Sequence, residues 1–102
     1  MPKILHLTLK KKWFDLIACG KKTVEYRDDK PYWATRLMEN DGKQKHYDEI
    51  WFRNGYSKTS PFMRVEYLGC DWVDFVPQTA NGEVLEGPVF EIKLGKVLSA
   101  RG

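Results

Sequence analysis

A chain of 102 residues that is 42% apolar and holds four Trp, five Tyr and five Phe is one domain with enough apolar area for a core of its own, which excludes a disordered chain. The net charge of +3 is unevenly spread: residues 1–22 hold six lysines against the single acid Asp15, while residues 51–102 balance six basic against six acidic side chains. A basic first third points to an anionic partner, most commonly nucleic acid, or simply to lysines facing water.

No apolar run reaches membrane-spanning length, and the start of the chain lacks a charged-then-apolar signal pattern, so a cytoplasmic location and no membrane partner are expected. Cys19 and Cys70 stand far apart, and His6 and His46 are the only imidazoles. No zinc spacing can be assembled from them. The expectation is two reduced, mostly buried thiols, with no metal and no cofactor.

In chain order, residues 3–9 alternate, with Leu5, Leu7 and Leu9 on the inward face of a strand and His6 on the less apolar face, where a partly buried structural role is expected. Residues 10–19 switch to helical period through Trp13, Phe14, Leu16 and Ile17. Lysines 10–12 stand near the start of this helix, where the macrodipole disfavours cations. Gly20 closes it as a C-terminal cap. From Thr23 the chain reads as a strand, with Val24 and Tyr26 on one face and Thr23, Glu25 and Arg27 on the other. A second helix follows, capped by Asp28 or Asp29, with Pro31 in its first turn and Tyr32, Trp33 and Leu37 on its apolar side.

Residues 39–47 form a polar turn about Asp41-Gly42, with His46 exposed. Residues 49–54 make a strand that stops at Asn54-Gly55. Residues 62–72 make a long strand with a bulge at Gly69, Asn81-Gly82 makes a turn, and residues 88–98 make the last strand with a bend at Gly95. Trp13 and Trp51 are assigned to the core. The fold class is mixed α+β, mainly β: five to six strands forming a small barrel, which removes exposed edges, with two short helices flanking a cleft.

The stretch G-K-K-T-V-E-Y-R at residues 20–27 resembles the G-x-K-x-x-E-x-R signature of the ASCH domain, a PUA-like family, with Gly20, Lys22, Glu25 and Arg27 at its fixed positions. F-R-N-G-Y at residues 52–56, with the segment after it, is similar to the corresponding strand and loop of small bacterial and phage ASCH proteins. The resemblance covers essentially the whole chain and implies a PUA-like β-barrel with the signature in its cleft.

It also implies one of three activities: RNA binding, removal of the acetyl group from acetylated cytidine, or ribonuclease action. In the amidohydrolase relatives the signature lysine is catalytic and works with a threonine at the position held here by Glu25. A later glutamate completes their set, and it has no assignable counterpart in residues 72–87.

Read from the residues alone, Lys22 is a nucleophile or base if burial and neighbouring cations favour the neutral amine, while a close Glu25 carboxylate favours the ammonium. A Lys–Glu–Arg cluster more commonly binds a phosphate or a polar base edge. The expectation is therefore an RNA- or nucleoside-binding site made of Gly20, Lys21, Lys22, Glu25 and Arg27. Trp33 and Tyr56 serve as stacking platforms, as does Tyr32, and Arg53 and Asn54 stand at the cleft mouth. The alternatives are a small hydrolase with Lys22 and Glu25 catalytic, and a protein-interaction module without a nucleotide ligand.

Overall fold

The leucine alternation near the start of the chain produces the strand expected of it. The computed structural model describes residues 2–74 and 87–101. Strand β1 (Ile4–Thr8) turns Leu5 and Leu7 into the core, and Leu9 follows them. His6 is exposed rather than partly buried, because period two turns it outward on a strand at the edge of the sheet.

Helix α1 (Lys11–Ala18) buries Phe14 and Ile17 and packs a half-buried Trp13 against the core. Its first turn has no acidic residue, and Lys10 at the N-cap makes no side-chain cap hydrogen bond. The apolar face therefore holds this helix rather than its ends. Gly20, at φ +84°, turns the chain so that its N–H donates to the Ile17 carbonyl at 3.0 Å, while those of Lys21 and Lys22 each reach the Leu16 carbonyl at 3.0 Å. That turn leaves Cys19 exposed at the helix end, against the expectation of a buried thiol.

Strand β2 (Val24–Asp28) begins one residue after Thr23. Helix α2 (Pro31–Leu37) has Pro31 in its first turn, as expected, but its N-cap is Lys30, with no side-chain cap. Asp28 is still in β2, where its carbonyl accepts from the Lys30 N–H at 2.9 Å, so neither aspartate serves as the cap. Leu37 is buried at the end of α2, Trp33 and Ala34 pack against the core, and Tyr32 is exposed. The turn at Asp41-Gly42 forms, and His46 is exposed.

The remaining strands are β3 (Glu49–Arg53), β4 (Phe62–Val73) and β5 (Val89–Arg101), the last running past residue 98. The sheet order is β1-β3-β4-β5-β2, with β1 parallel to β3 and the other pairs antiparallel. This five-stranded sheet curls into a half-barrel with two helices, the mainly-strand α+β architecture that the patterning predicts. Its register slips between Tyr67 and Gly69, where the bulge was expected, and again opposite Gly95. Asn81-Gly82 lies outside the described residues.

Ile50, Phe52, Met63, Val65 and Ile92 form the centre of the core. Trp51 is not with them: it alternates with Ile50 and Phe52, so it lies half-buried on the outer face. Among the described residues, no helix is long and apolar enough to cross a membrane.

Cys70 is buried beside Gln44, and burial, reinforced by Asp71 and Glu91, pushes its thiol up to about 12. Thiolate is the reactive form. A thiol-disulfide dye should therefore titrate Cys19 alone in the native protein and both cysteines in denaturant. The Cys19→Ser variant should be silent until it unfolds; native labelling of that variant would contradict the buried setting of Cys70.

Candidate functional site

Lys22, Glu25 and Arg27 come together where the helix stop at Gly20 feeds the chain into β2. Glu25 stands opposite Ile92 and Arg27 opposite Phe90, both buried, so this face of β2 is the core-facing one. Lys22 is 2% exposed and Glu25 3%. The Lys22 Nζ lies 3.5 Å from Glu25 Oε1, and Arg27 Nη2 lies 3.1 Å from Glu25 Oε2. One carboxylate thus bridges two cations.

Aromatic rings wall the cluster. The Lys22 ammonium is 4.9 Å from the Trp13 ring centroid and 5.4 Å from that of Tyr26. The Arg27 guanidinium lies 5.0 Å from the centroid of Trp33. A ring face offers a desolvated cation partial compensation for lost water. Trp33 itself receives an edge-on contact from Tyr32 at 4.8 Å, and Tyr32 carries the Arg36 guanidinium at 3.5 Å.

Arg27 also spans a seam. Strands β1 and β2 are the two edges of the sheet, and Arg27 Nη2 reaches across from β2 to donate to the Thr8 carbonyl at 3.2 Å. Beside it, Asn54 Nδ2 donates to the Leu9 carbonyl at 2.9 Å. Arg27 Nε is buried and has no hydrogen-bond partner among the described residues, while the side chain as a whole keeps 21% of its surface. Of the three charged groups, Arg27 is the one that meets solvent.

Taking these ions out of water costs several kcal/mol each, and mutual attraction only roughly repays it. The cluster therefore adds little to the fold beyond what apolar residues of the same size would give. Its chemistry is that of a fixed guanidinium with a free donor, held by a carboxylate and backed by an ammonium.

Trp33 joins the cluster through Arg27, and Asn54 stands at its rim with its amide committed to β1. Gly20 and Lys21 are exposed at the entrance to β2, and Tyr56 projects from its loop with 95% of its surface open. Arg53 does not join: it alternates with the buried Phe52, and its guanidinium stacks on Phe62 at 4.6 Å on the outer face. It is therefore on the wrong side of the sheet for the cleft mouth.

Trp13, assigned to the core from its helical spacing, and Tyr26 wall Lys22, and the Thr8 carbonyl completes the set; no local signal marks a backbone carbonyl as a partner. An open depression of about 320 Å³ beside α2, lined by Ala34, Thr35, Met38, Glu39, Asn40 and Lys45, holds none of these residues. Comparison of the chain with models of known families, with curated proteins and with solved structures finds no match.

Proposed function

We propose that this chain is an RNA- or modified-nucleoside-binding domain of the ASCH kind, acting through Lys22, Glu25 and Arg27. What supports the reading is the Arg27 guanidinium. It is anchored on Glu25 and on the Thr8 carbonyl, is stacked on Trp33, keeps 21% of its surface open, and has an Nε donor that none of the described residues uses.

A guanidinium fixed in this way suits a phosphate oxygen or a base carbonyl, because the geometry is set before the ligand arrives and little side-chain entropy is lost on binding. The exposed Lys21, and Lys12 with its ammonium 4.7 Å from the Trp13 ring centroid, add positive charge beside the cluster. Binding should be salt-sensitive for the same reason.

Titration of single-stranded RNA at low salt is expected to show binding that Arg27→Ala weakens by about tenfold or more, the scale of one charge-assisted hydrogen bond. Lys22→Ala should weaken it through loss of the cluster. Absence of binding to any RNA or nucleoside would refute the reading.

The enclosure of Lys22 between Trp13 and Tyr26 favours a second reading, a small hydrolase with Lys22 as the reacting amine acting on an acylated nucleoside. It ranks below binding because Glu25, 3.5 Å from the amine, stands where the amidohydrolase relatives have threonine. Incubation of acetylated cytidine with wild type and with Lys22→Ala separates the two readings: product that depends on Lys22 would place catalysis first.

A further inference from the structure

The outer face of the sheet carries a ladder of rings and guanidinium groups that the cluster around Arg27 does not use. His6 pairs with Trp51 across β1 and β3, and their rings meet edge-on at 5.4 Å. Trp51 meets Phe62 edge-on at 5.3 Å. Phe62 lies opposite Arg53 on one side and Arg101 on the other, and both guanidiniums stack on its ring, at 4.6 Å and 5.5 Å. The ladder therefore crosses the four adjacent strands β1, β3, β4 and β5. His6 and Arg101 are exposed, and Trp51, Phe62 and Arg53 are half-buried, so the ladder keeps part of its surface open to solvent.

The charges on this face are unevenly spent. Arg64 is locked in a two-pronged pair with Glu49, at 2.8 Å and 3.0 Å, and Trp51 Nε1 donates to the same carboxylate. Held by Arg64 first and Trp51 second, the Glu49 carboxyl is pulled down to about 2, so it stays ionised and its charge stays matched. Glu66, further along β4, accepts from the Lys96 N–H. Arg101 donates to the Lys58 and Ser60 carbonyls and has no carboxylate partner among the described residues. The Arg53 side chain makes no hydrogen bond and no ion pair among the described residues; its guanidinium rests on Phe62. With Lys58 in the adjoining loop, the Phe62 end of the ladder is basic, and the acid on the neighbouring strand is already paired.

We infer that this outer face is a surface for single-stranded nucleic acid, with bases stacking on His6 and Trp51 while Arg53 and Arg101, held against Phe62, take phosphates. Charge complementarity commits the surface to a polyanion, and the ring ladder commits it to one that carries bases. Stacking on aromatic side chains is sequence-tolerant, since every base has a π-face. A duplex hides those faces in its own stack, so a single strand is the form that fits. This surface is on the opposite face of the sheet from Arg27, and the inference does not rest on the cleft reading.

The test is a titration of fluorescein-labelled octauridylate RNA against wild type, Arg53→Gln, Arg53→Gln/Arg101→Gln and the cleft variant Arg27→Ala. Arg53→Gln breaks no side-chain hydrogen bond or ion pair among the described residues, and its thermal midpoint should match wild type. The double variant is expected to bind about tenfold more weakly, with a salt slope smaller by about 1.4, or ~0.7 for each of the two phosphate contacts. Inorganic polyphosphate of matched charge should compete at least tenfold less well than unlabelled RNA, because it offers nothing to stack. Undiminished binding by the double variant, parity between polyphosphate and RNA, or loss of binding in Arg27→Ala alone would each overturn the inference, as would no binding by wild type.

Discussion

Glu25→Gln should lower the thermal midpoint by on the order of 15 °C, one of the largest effects of any single change in this protein. The substitution keeps the shape of the side chain and removes only its charge. What remains is Lys22, 2% exposed, and the partly enclosed Arg27, two cations whose shared counter-ion has gone. Breaking a buried pair by removing one partner costs about 3–5 kcal/mol, and each kcal/mol moves the midpoint of a domain this size by roughly 4–8 °C.

Lys22→Met should cost less, because Glu25 keeps Arg27 at 3.1 Å. The combination Lys22→Met/Glu25→Gln should recover much of the loss, since it removes the Lys22 ammonium together with the carboxylate that faces it. A shift under about 3 °C for Glu25→Gln, by calorimetry or circular dichroism, would mean that the carboxylate is not the bridge the geometry makes it. A double variant that regains stability while losing RNA binding would tie the charges to ligand rather than to fold.

The burial of Glu25 was the part of this site that the sequence concealed. In residues 24–28 the apolar side chains are Val24 and Tyr26, so alternation turns Glu25 toward water. The structure reverses that: Glu25 faces the core opposite Ile92, and Val24 and Tyr26 are only half-buried. The reversal needs Lys22 and Arg27 as partners and three rings as walls, contributed by α1, β2 and α2, and such an assembly leaves no trace in a five-residue window.

Features that depend on few residues were legible. Leu5, Leu7 and Leu9 set the first strand, and Gly20 ended the first helix, because each follows from backbone geometry within a turn or two. Trp51 and Arg53 show the intermediate case. Their alternation with Ile50 and Phe52 contains the right answer, but the size of Trp51 argues for the core, and the nearness of Arg53 to a turn argues for the cleft mouth. Strict alternation puts both on the outer face, beside Phe62.

Gly69→Ala should be comparably costly, at about 3 kcal/mol or more, for reasons visible in the loop that it touches. Gly69 holds φ +130°, a conformation that side chains with a Cβ rarely adopt, and such strain costs of order 1–3 kcal/mol. An added Cβ would also stand 2.9 Å from Gln44 Oε1. That oxygen cannot simply swing away, because it accepts the Cys70 N–H at 2.7 Å and so joins the turn after α2 to the bulge in β4. Displacing it leaves a buried donor unmade, which costs a further ~1–3 kcal/mol.

Gly42→Ala separates the two contributions. Gly42 also has positive φ, at +86°, but a Cβ there meets nothing within 4 Å, so only the backbone penalty applies. Gly69→Ala should therefore melt well below Gly42→Ala, by roughly 5–15 °C, the size of the lost hydrogen bond. The Cys70 amide should also exchange with solvent faster in the first variant and at the wild-type rate in the second. Equal midpoints would assign the whole cost to φ and leave Gln44 as a bystander, whereas the expected gap makes the bulge a joint between the helical half of the chain and the sheet.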